Sequence, residues 1–220
     1  MDALIFDFDG VLLESEYEGN AHLAGLLTDL GFPTGVEEAL THFSGLNGVD
    51  FIAAIEARIG ARLPPEFHKR RAVEDARVLR DGLAAVAGAV EFVRSLPPGL
   101  LKAVASSSSV EWIATHLAHL GLRDAFGDHL YSGREHVARG KPAPDLYLYA
   151  AQELGVPIAG CTIIEDSPVG AQGALASGAR VIGLVAASHC LPGHDERLRA
   201  LGVQDIAYSF DDVRRLLRLD

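Results

Sequence analysis

Near its start the chain runs Ala3-Leu4-Ile5-Phe6-Asp7-Phe8-Asp9-Gly10, four apolar residues closing on two carboxylates one residue apart. An uninterrupted apolar run of that length suits a strand buried on both faces, the kind found in parallel sheets. Gly10 supplies the turn that ends it. In a regular strand the i, i+2 spacing of Asp7 and Asp9 puts both side chains on one face. Open α/β folds set their sites at this carboxyl edge of the sheet. Two acids that close repel each other, so the pair predicts either a compensating cation or a shared proton. The plainer alternative is a strand followed by a solvated acidic turn.

Further strand-like runs fall at 101–105, 161–164 and 180–185, with weaker ones at 129–131 and 205–208. Helical patterns lie between them at 85–96, 110–120, 145–154 and 169–177, and Gly121, Gly155 and Gly178 follow three of these as C-terminal caps. Strand and helix alternating in this way predict βαβ units and a doubly wound parallel sheet, an α/β fold. Residues 14–83 break the alternation. Their apolar residues recur at helical spacing (Leu23, Leu26, Leu27, then Phe51, Ile52, Ile55, Ile59), and Pro33, Gly45, Gly48 and Pro64-Pro65 divide them into about four helices. The expected organisation is therefore a core of 1–13 and 84–220 with an all-helical cap domain, 14–83, inserted after the first strand. A cap that begins so soon after Asp9 is expected to overhang the acid pair, exclude water and select the substrate.

Composition narrows the partners. At 220 residues the chain can bury one substantial core, or one core and a smaller appended domain. A formal net charge of −11 argues against nucleic acid and anionic membranes, both of which reward basic surfaces. No stretch approaches the roughly 18 apolar residues of a membrane span. Asp2 and the lack of a basic leading segment give no secretory signal, so the expected location is the cytoplasm. Cys161 opens an apolar run and reads as a buried thiol, so with Cys190 as the only other cysteine no disulfide framework is expected. An acidic protein that binds an anion must gather cations locally, and the only lysines are Lys69, Lys102 and Lys141.

Three more features sit at strand ends. Ser106 begins the run Ser106-Ser107-Ser108-Ser109, where hydroxyls and backbone N–H groups at a helix start suit an anion; the alternative is simple N-capping. Lys141 stands in Arg139-Gly140-Lys141-Pro142-Ala143-Pro144-Asp145, where two prolines fix the backbone and could aim the ammonium group. Taken alone, it reads more readily as a solvated surface lysine. Glu165 and Asp166 repeat, at the end of 161–164, the anomaly of two acids at a buried strand tip. Adjacent strands lie about 4.8 Å apart. If these strands are neighbours, four carboxylates converge, and the absence of His or Cys from either acidic turn favours Mg²⁺ over Zn²⁺.

The succession Asp-x-Asp-Gly-Val, Ser, Lys-Pro, Glu-Asp resembles the haloacid dehalogenase-like superfamily across essentially the whole chain. Asp7-Phe8-Asp9-Gly10-Val11, Gly140-Lys141-Pro142-Ala143-Pro144-Asp145 and Glu165-Asp166-Ser167-Pro168-Val169-Gly170-Ala171 are similar to its sugar-phosphate phosphatase and β-phosphoglucomutase-like branch. Phosphatases acting on 6-phosphogluconate are the nearest comparison. The resemblance implies a Rossmann-like core with a helical cap, and a small-molecule phosphate ester as substrate. It assigns catalysis to Asp7, Asp9, Ser106 and Lys141: Asp7 as the nucleophile that becomes an aspartyl-phosphate, Asp9 as general acid and then base. It also implies that Ser106, Ser107 and Lys141 hold the phosphoryl group, and that Asp7, Asp9, Glu165 and Asp166 form a Mg²⁺ site, with Glu165 a ligand or one shell out.

Departures from the branch also matter. Asp9 separates phosphate-ester hydrolysis from dehalogenation. Mutases of the branch carry a His where this chain has Gly19, and a Gly-x-Ser-Arg loop where it has Gly45-Leu46-Asn47-Gly48, which points to hydrolysis with phosphoryl transfer as the alternative. Gly45, Asn47 and Lys69 are the candidate specificity residues of the cap, although the basic run His68-Lys69-Arg70-Arg71 also fits a solvated helix face. His189-Cys190 and His194-Asp195 offer zinc-type ligands, but their spacing matches no common zinc pattern, and no metal is expected there. Trp112 and the five tyrosines are expected to pack. A non-catalytic module on the same fold would be expected to lack at least one of Asp7, Asp9, Lys141 or Asp166, and all are present.

Overall fold

The computed structural model describes residues 1–44, 46 and 48–219. In chain order β1 (Ala3–Phe6) is followed by α1 (Ser15–Asp29), α2 (Val36–Phe43), α3 (Gly48–Ile59), α4 (Pro65–Asp81) and α5 (Ala89–Ser95). Then come β2 (Leu101–Ser106), α6 (Val110–His119), α7 (Arg123–Phe126), β3 (Leu130–Ser132), α8 (Asp145–Glu153) and β4 (Cys161–Glu165). The chain finishes with α9 (Pro168–Ser177), β5 (Arg180–Leu184), α10 (His194–Ala200), β6 (Asp205–Ala207) and α11 (Phe210–Leu217). It forms two compact units, Met1–Glu14 with Leu83–Asp220, and Ser15–Gly82.

The first unit is a six-stranded sheet in the order β3-β2-β1-β4-β5-β6, parallel throughout. This is the doubly wound α/β arrangement that the alternating pattern implies. Period-2 alternation sends neighbouring residues to opposite faces, and both faces are apolar. Leu4, Phe6, Val104, Ile164 and Ile182 pack with Phe92, Ile113, Leu117, Phe210 and Val213 of α5, α6 and α11. Ala3, Ile5, Ala103, Ala105 and Ile163 pack with Leu146, Tyr147, Ala150, Ala171 and Ala174 of α8 and α9. Each fully buried Leu, Ile or Phe contributes roughly 1.5–3 kcal/mol, which explains why every residue of β1 is apolar and buried. The strand order reverses between β1 and its neighbours β2 and β4, so a crevice opens at their carboxyl ends.

Helix α5 begins at Ala89 and not, as the apolar pattern suggests, at residue 85. Ala85 bridges antiparallel to Leu13, and Glu14 N–H and Val86 N–H bond Ala84 O and Leu12 O. These bonds close the unit where the chain leaves and returns. Gly88, at φ +80°, then starts the helix. The second unit holds α1–α4 around Leu23, Leu26, Leu27, Phe43, Ile55 and Phe67, and contains no strand among its described residues.

Candidate active site

Asp7 leaves β1 while its N–H still bonds Ile164 O of β4 at 2.9 Å, so its carboxylate stands at the sheet edge on a rigid backbone. Lys141, in the segment before α8, donates from Nζ to Asp7 Oδ1 at 2.6 Å and to Glu165 Oε1 at 2.7 Å. Glu165, fully buried at the end of β4, accepts further bonds from Tyr147 OH (2.7 Å) and from the N–H and hydroxyl of Ser167 (2.9 and 3.0 Å). Both its oxygens are thus engaged in holding Lys141 and the start of α9. Burial disfavours the Lys141 ammonium, but Asp7 and Glu165 outweigh it and hold its pKa well above the lysine range. Burial, followed by repulsion from Glu165, pushes the Asp7 carboxyl up, with Lys141 pulling against it.

Asp166, the next residue, is likewise buried and pushed up, by burial and then by Glu165. Its Oδ2 meets His189 Nε2 at 2.9 Å, its main-chain carbonyl accepts from His194 Nε2 at 2.6 Å, and its buried Oδ1 has no hydrogen-bond partner among the described residues. Carboxylate oxygens of Asp7, Glu165 and Asp166 lie within 4.8 Å of one another. An all-oxygen donor set carrying one unsatisfied buried oxygen suits a hard divalent cation such as Mg²⁺. Gly10 makes room for the Asp166 carboxylate: at φ +84° the position favours glycine, and a Cβ there would overlap Asp166 Oδ2 and come within 2.9 Å of His189 Cε1.

Asp9 carries the second carboxylate. Its Oδ2 accepts from Ser106 Oγ (3.2 Å) and Ser108 Oγ (2.6 Å), and its Oδ1 accepts from the indole N–H of Trp112 (3.0 Å). The end of β2 and the first turn of α6 therefore fix its orientation. Ser109 supplies the N-cap of that helix, accepting from Trp112 N–H at 3.2 Å, and Ser107 lies in the same bend. The serine run thus divides its work between capping and the acid.

The description of the haloacid dehalogenase-like hydrolases matches residues 1–178 of this chain. The chain belongs to that family. Fructose-1-phosphate phosphatase YqaB of Escherichia coli (strain K12) is 31% identical over 80% of this haloacid dehalogenase-like chain and 92% of its own. The 6-phosphogluconate phosphatase of the same organism is 27% identical, covering 87% and 86%. Among solved structures, a haloacid dehalogenase family hydrolase from Deinococcus radiodurans R1 with bound phosphate and sodium superposes with a TM-score of 0.85 at 32% identity, covering 99% of this chain and 95% of that one.

In this haloacid dehalogenase-like hydrolase, Asp7, Lys141, Glu165 and Asp166 form one connected group, and Ser106 joins Asp9. Gly45 and Asn47 fall outside the described residues. Lys69 lies in the helical unit, where it lines a cavity of about 240 Å³ with His22, Glu66, Arg70, Val73 and Glu74. Trp112 and Tyr147 pack against the core as expected, and each also donates a hydrogen bond to a site carboxylate. Ser108, Trp112, Tyr147 and His189 were not legible as site residues. The spacing of Trp112 from Ser109, three residues or about one helical turn past the end of the serine run, is the signal that could have found it. His189, Cys190 and His194 offer ligand atoms within 4.8 Å of one another, but both His194 nitrogens are engaged, Nε2 with Asp166 O and Nδ1 with Arg197 at 2.9 Å. Burial and then Asp166 push the Cys190 thiol up to about 12, which keeps it protonated.

Proposed function

We propose that this chain is a Mg²⁺-dependent phosphatase of small phosphorylated metabolites, a sugar phosphate such as 6-phosphogluconate foremost, working through an aspartyl-phosphate. The observation that carries the reading is the contact between Lys141 and Asp7. It holds a carboxylate nucleophile beside a buried cation at the sheet edge.

In this mechanism an Asp7 oxygen attacks phosphorus as the ester O–P bond breaks, and Asp9 gives its proton to the departing alkoxide. Asp9, now ionised, takes a proton from a water that attacks the same phosphorus; the acyl-phosphate bond breaks, and Asp7 and inorganic phosphate are released. Ser108 and Trp112 keep the Asp9 carboxylate aimed through both steps. Lys141, with Ser106 and Ser107, binds phosphoryl oxygens, and Glu165 keeps that lysine charged and in place. Asp7, the Asp9 main-chain carbonyl and Asp166 would hold Mg²⁺. When bound, the ion neutralises charge on the phosphoryl group and on these carboxylates. Positioning and charge neutralisation supply most of the acceleration in phosphoryl transfer.

The helical unit Ser15–Gly82 is assigned the choice of substrate, with Lys69 among its candidate contacts. Relatives named for fructose 1-phosphate and 6-phosphogluconate support a sugar-phosphate class. The test is phosphate release from p-nitrophenyl phosphate, 6-phosphogluconate, fructose 1-phosphate and β-glucose 1-phosphate with Mg²⁺. EDTA should abolish it, and Asp7→Asn should be folded and inactive. An active Asp7→Asn variant refutes the nucleophile, and conversion of β-glucose 1-phosphate to glucose 6-phosphate would replace hydrolysis by phosphoryl transfer.

A further inference from the structure

The segment joining β5 to α10 reaches Asp166 twice, at the carboxylate through His189 and at the main-chain carbonyl through His194. Both histidines are buried, and the segment is itself anchored. Ser188 N–H and Oγ bond the Glu14 carboxylate, at 3.1 and 2.6 Å to Oε2, and Arg197 of α10 donates to His194 Nδ1 at 2.9 Å. A carboxylate with one oxygen bonded and the other buried and unsatisfied among the described residues has lost the rotational choice of which oxygen it presents. Gly10 closes the remaining space, since a Cβ there would collide with both Asp166 and His189.

We propose that His189 is the positioning residue of the metal centre: by donating from Nε2 to Asp166 Oδ2, it presents Oδ1 to the cation. The inference rests on the metal-site reading above and extends it to a residue that contributes no ligand atom of its own. Partners that orient a ligating carboxylate commonly change metal affinity by 10- to 100-fold when removed. Since the proposed role of His189 runs through Asp166 alone, its loss should weaken the metal, leave the substrate KM at saturating metal within about two-fold, and lower kcat only at limiting metal.

The test uses the purified full chain and Mn²⁺, counted by the electron paramagnetic resonance signal of the free ion, in parallel with activity titrated against Mg²⁺. His189→Ala is expected to bind Mn²⁺ at least ten-fold more weakly, with the metal-free melting curve establishing that it is folded. His189→Gln, which restores an N–H donor, is expected to recover most of that loss, and His189→Leu replaces the alanine variant should that one not fold. Mn²⁺ affinity within two-fold of wild type in the folded donor-free variant overturns the positioning role while leaving the phosphatase reading intact. A wild-type chain that binds no Mn²⁺ overturns the metal-site reading, and this inference falls with it.

Discussion

Lys141 and Glu165, 24 residues apart in sequence, meet at 2.7 Å in the interior, and the same ammonium reaches Asp7 at 2.6 Å. One cation therefore serves two buried acids, and Glu165 has three further bonds, to Tyr147 and Ser167, that keep it from turning away. Replacing Lys141 by Met leaves two buried carboxylates without their counter-charge. The expected cost is about 3–5 kcal/mol of stability, the range found when one partner of a buried ion pair is removed. Turnover should fall by about 10²–10³ or more, as when a group stabilising transition-state charge is lost. Urea unfolding and p-nitrophenyl phosphate hydrolysis check the two effects. A K141M chain that melts like wild type would mean that Asp7 and Glu165 do not depend on it.

Trp112 gives a separate test of how Asp9 is held. In Trp112→Phe the ring remains to pack in the core, but the 3.0 Å bond to Asp9 Oδ1 is lost. A hydrogen bond to a charged group contributes about 1.5–3 kcal/mol, so kcat should drop by roughly 10- to 100-fold, with KM nearly unchanged. Ser108→Ala, which removes the 2.6 Å donor to Oδ2, should behave alike. Unaltered kcat in both variants would show that neither donor orients the acid.

Two glycines should respond to alanine with opposite signs. A Cβ at Gly170 of α9 would overlap the Glu165 carboxylate, so Gly170→Ala must displace the residue that holds Lys141. The expected cost is about 1–3 kcal/mol, accompanied by a loss of activity, as for other overpacked sites. Gly25 is exposed in the middle of α1, and a Cβ there meets nothing within 4 Å among the described residues. Gly25→Ala should therefore stabilise the helical unit by about 0.5–1 kcal/mol and leave turnover alone. Thermal melts and steady-state rates of the two variants decide both points.

What the sequence shows and what it hides follows from how local each cause is. β1 was readable because a strand buried on both faces has to be apolar, which makes acids at its tip conspicuous. Lys141 stood out through scarcity and its prolines, and the serine run through its place at a strand end. His189 gave no such signal, since a histidine in a loop has an adequate local explanation and its bond to Asp166 depends on the neighbouring strands β4 and β5. The same holds for Trp112, whose spacing suits a core-facing helix position while its partner lies 103 residues away. The late start of α5 was hidden similarly: 85–86 are apolar like a helix face, but they pair with Leu12 and Leu13 across the closure of the unit.

Cys190 makes the electrostatics around Asp166 measurable. Burial and then the Asp166 carboxylate raise its thiol to about 12, whereas an unperturbed cysteine titrates near 8.5. Only the thiolate reacts with iodoacetamide, and at pH 8 a thiol of that pKa is ionised to about one part in 10⁴. The reactive fraction therefore grows as pH rises. Alkylation of Cys190 in the native protein should accelerate about tenfold per pH unit between pH 7 and 10 without levelling, as followed by mass spectrometry of the peptide that contains it. Asp166→Asn removes the second cause of the shift, so it should lower the thiol pKa and speed the reaction at any pH in that range. A rate that reaches its plateau near pH 9 would mean that the thiol is neither as enclosed nor as close to that carboxylate as the structure has it.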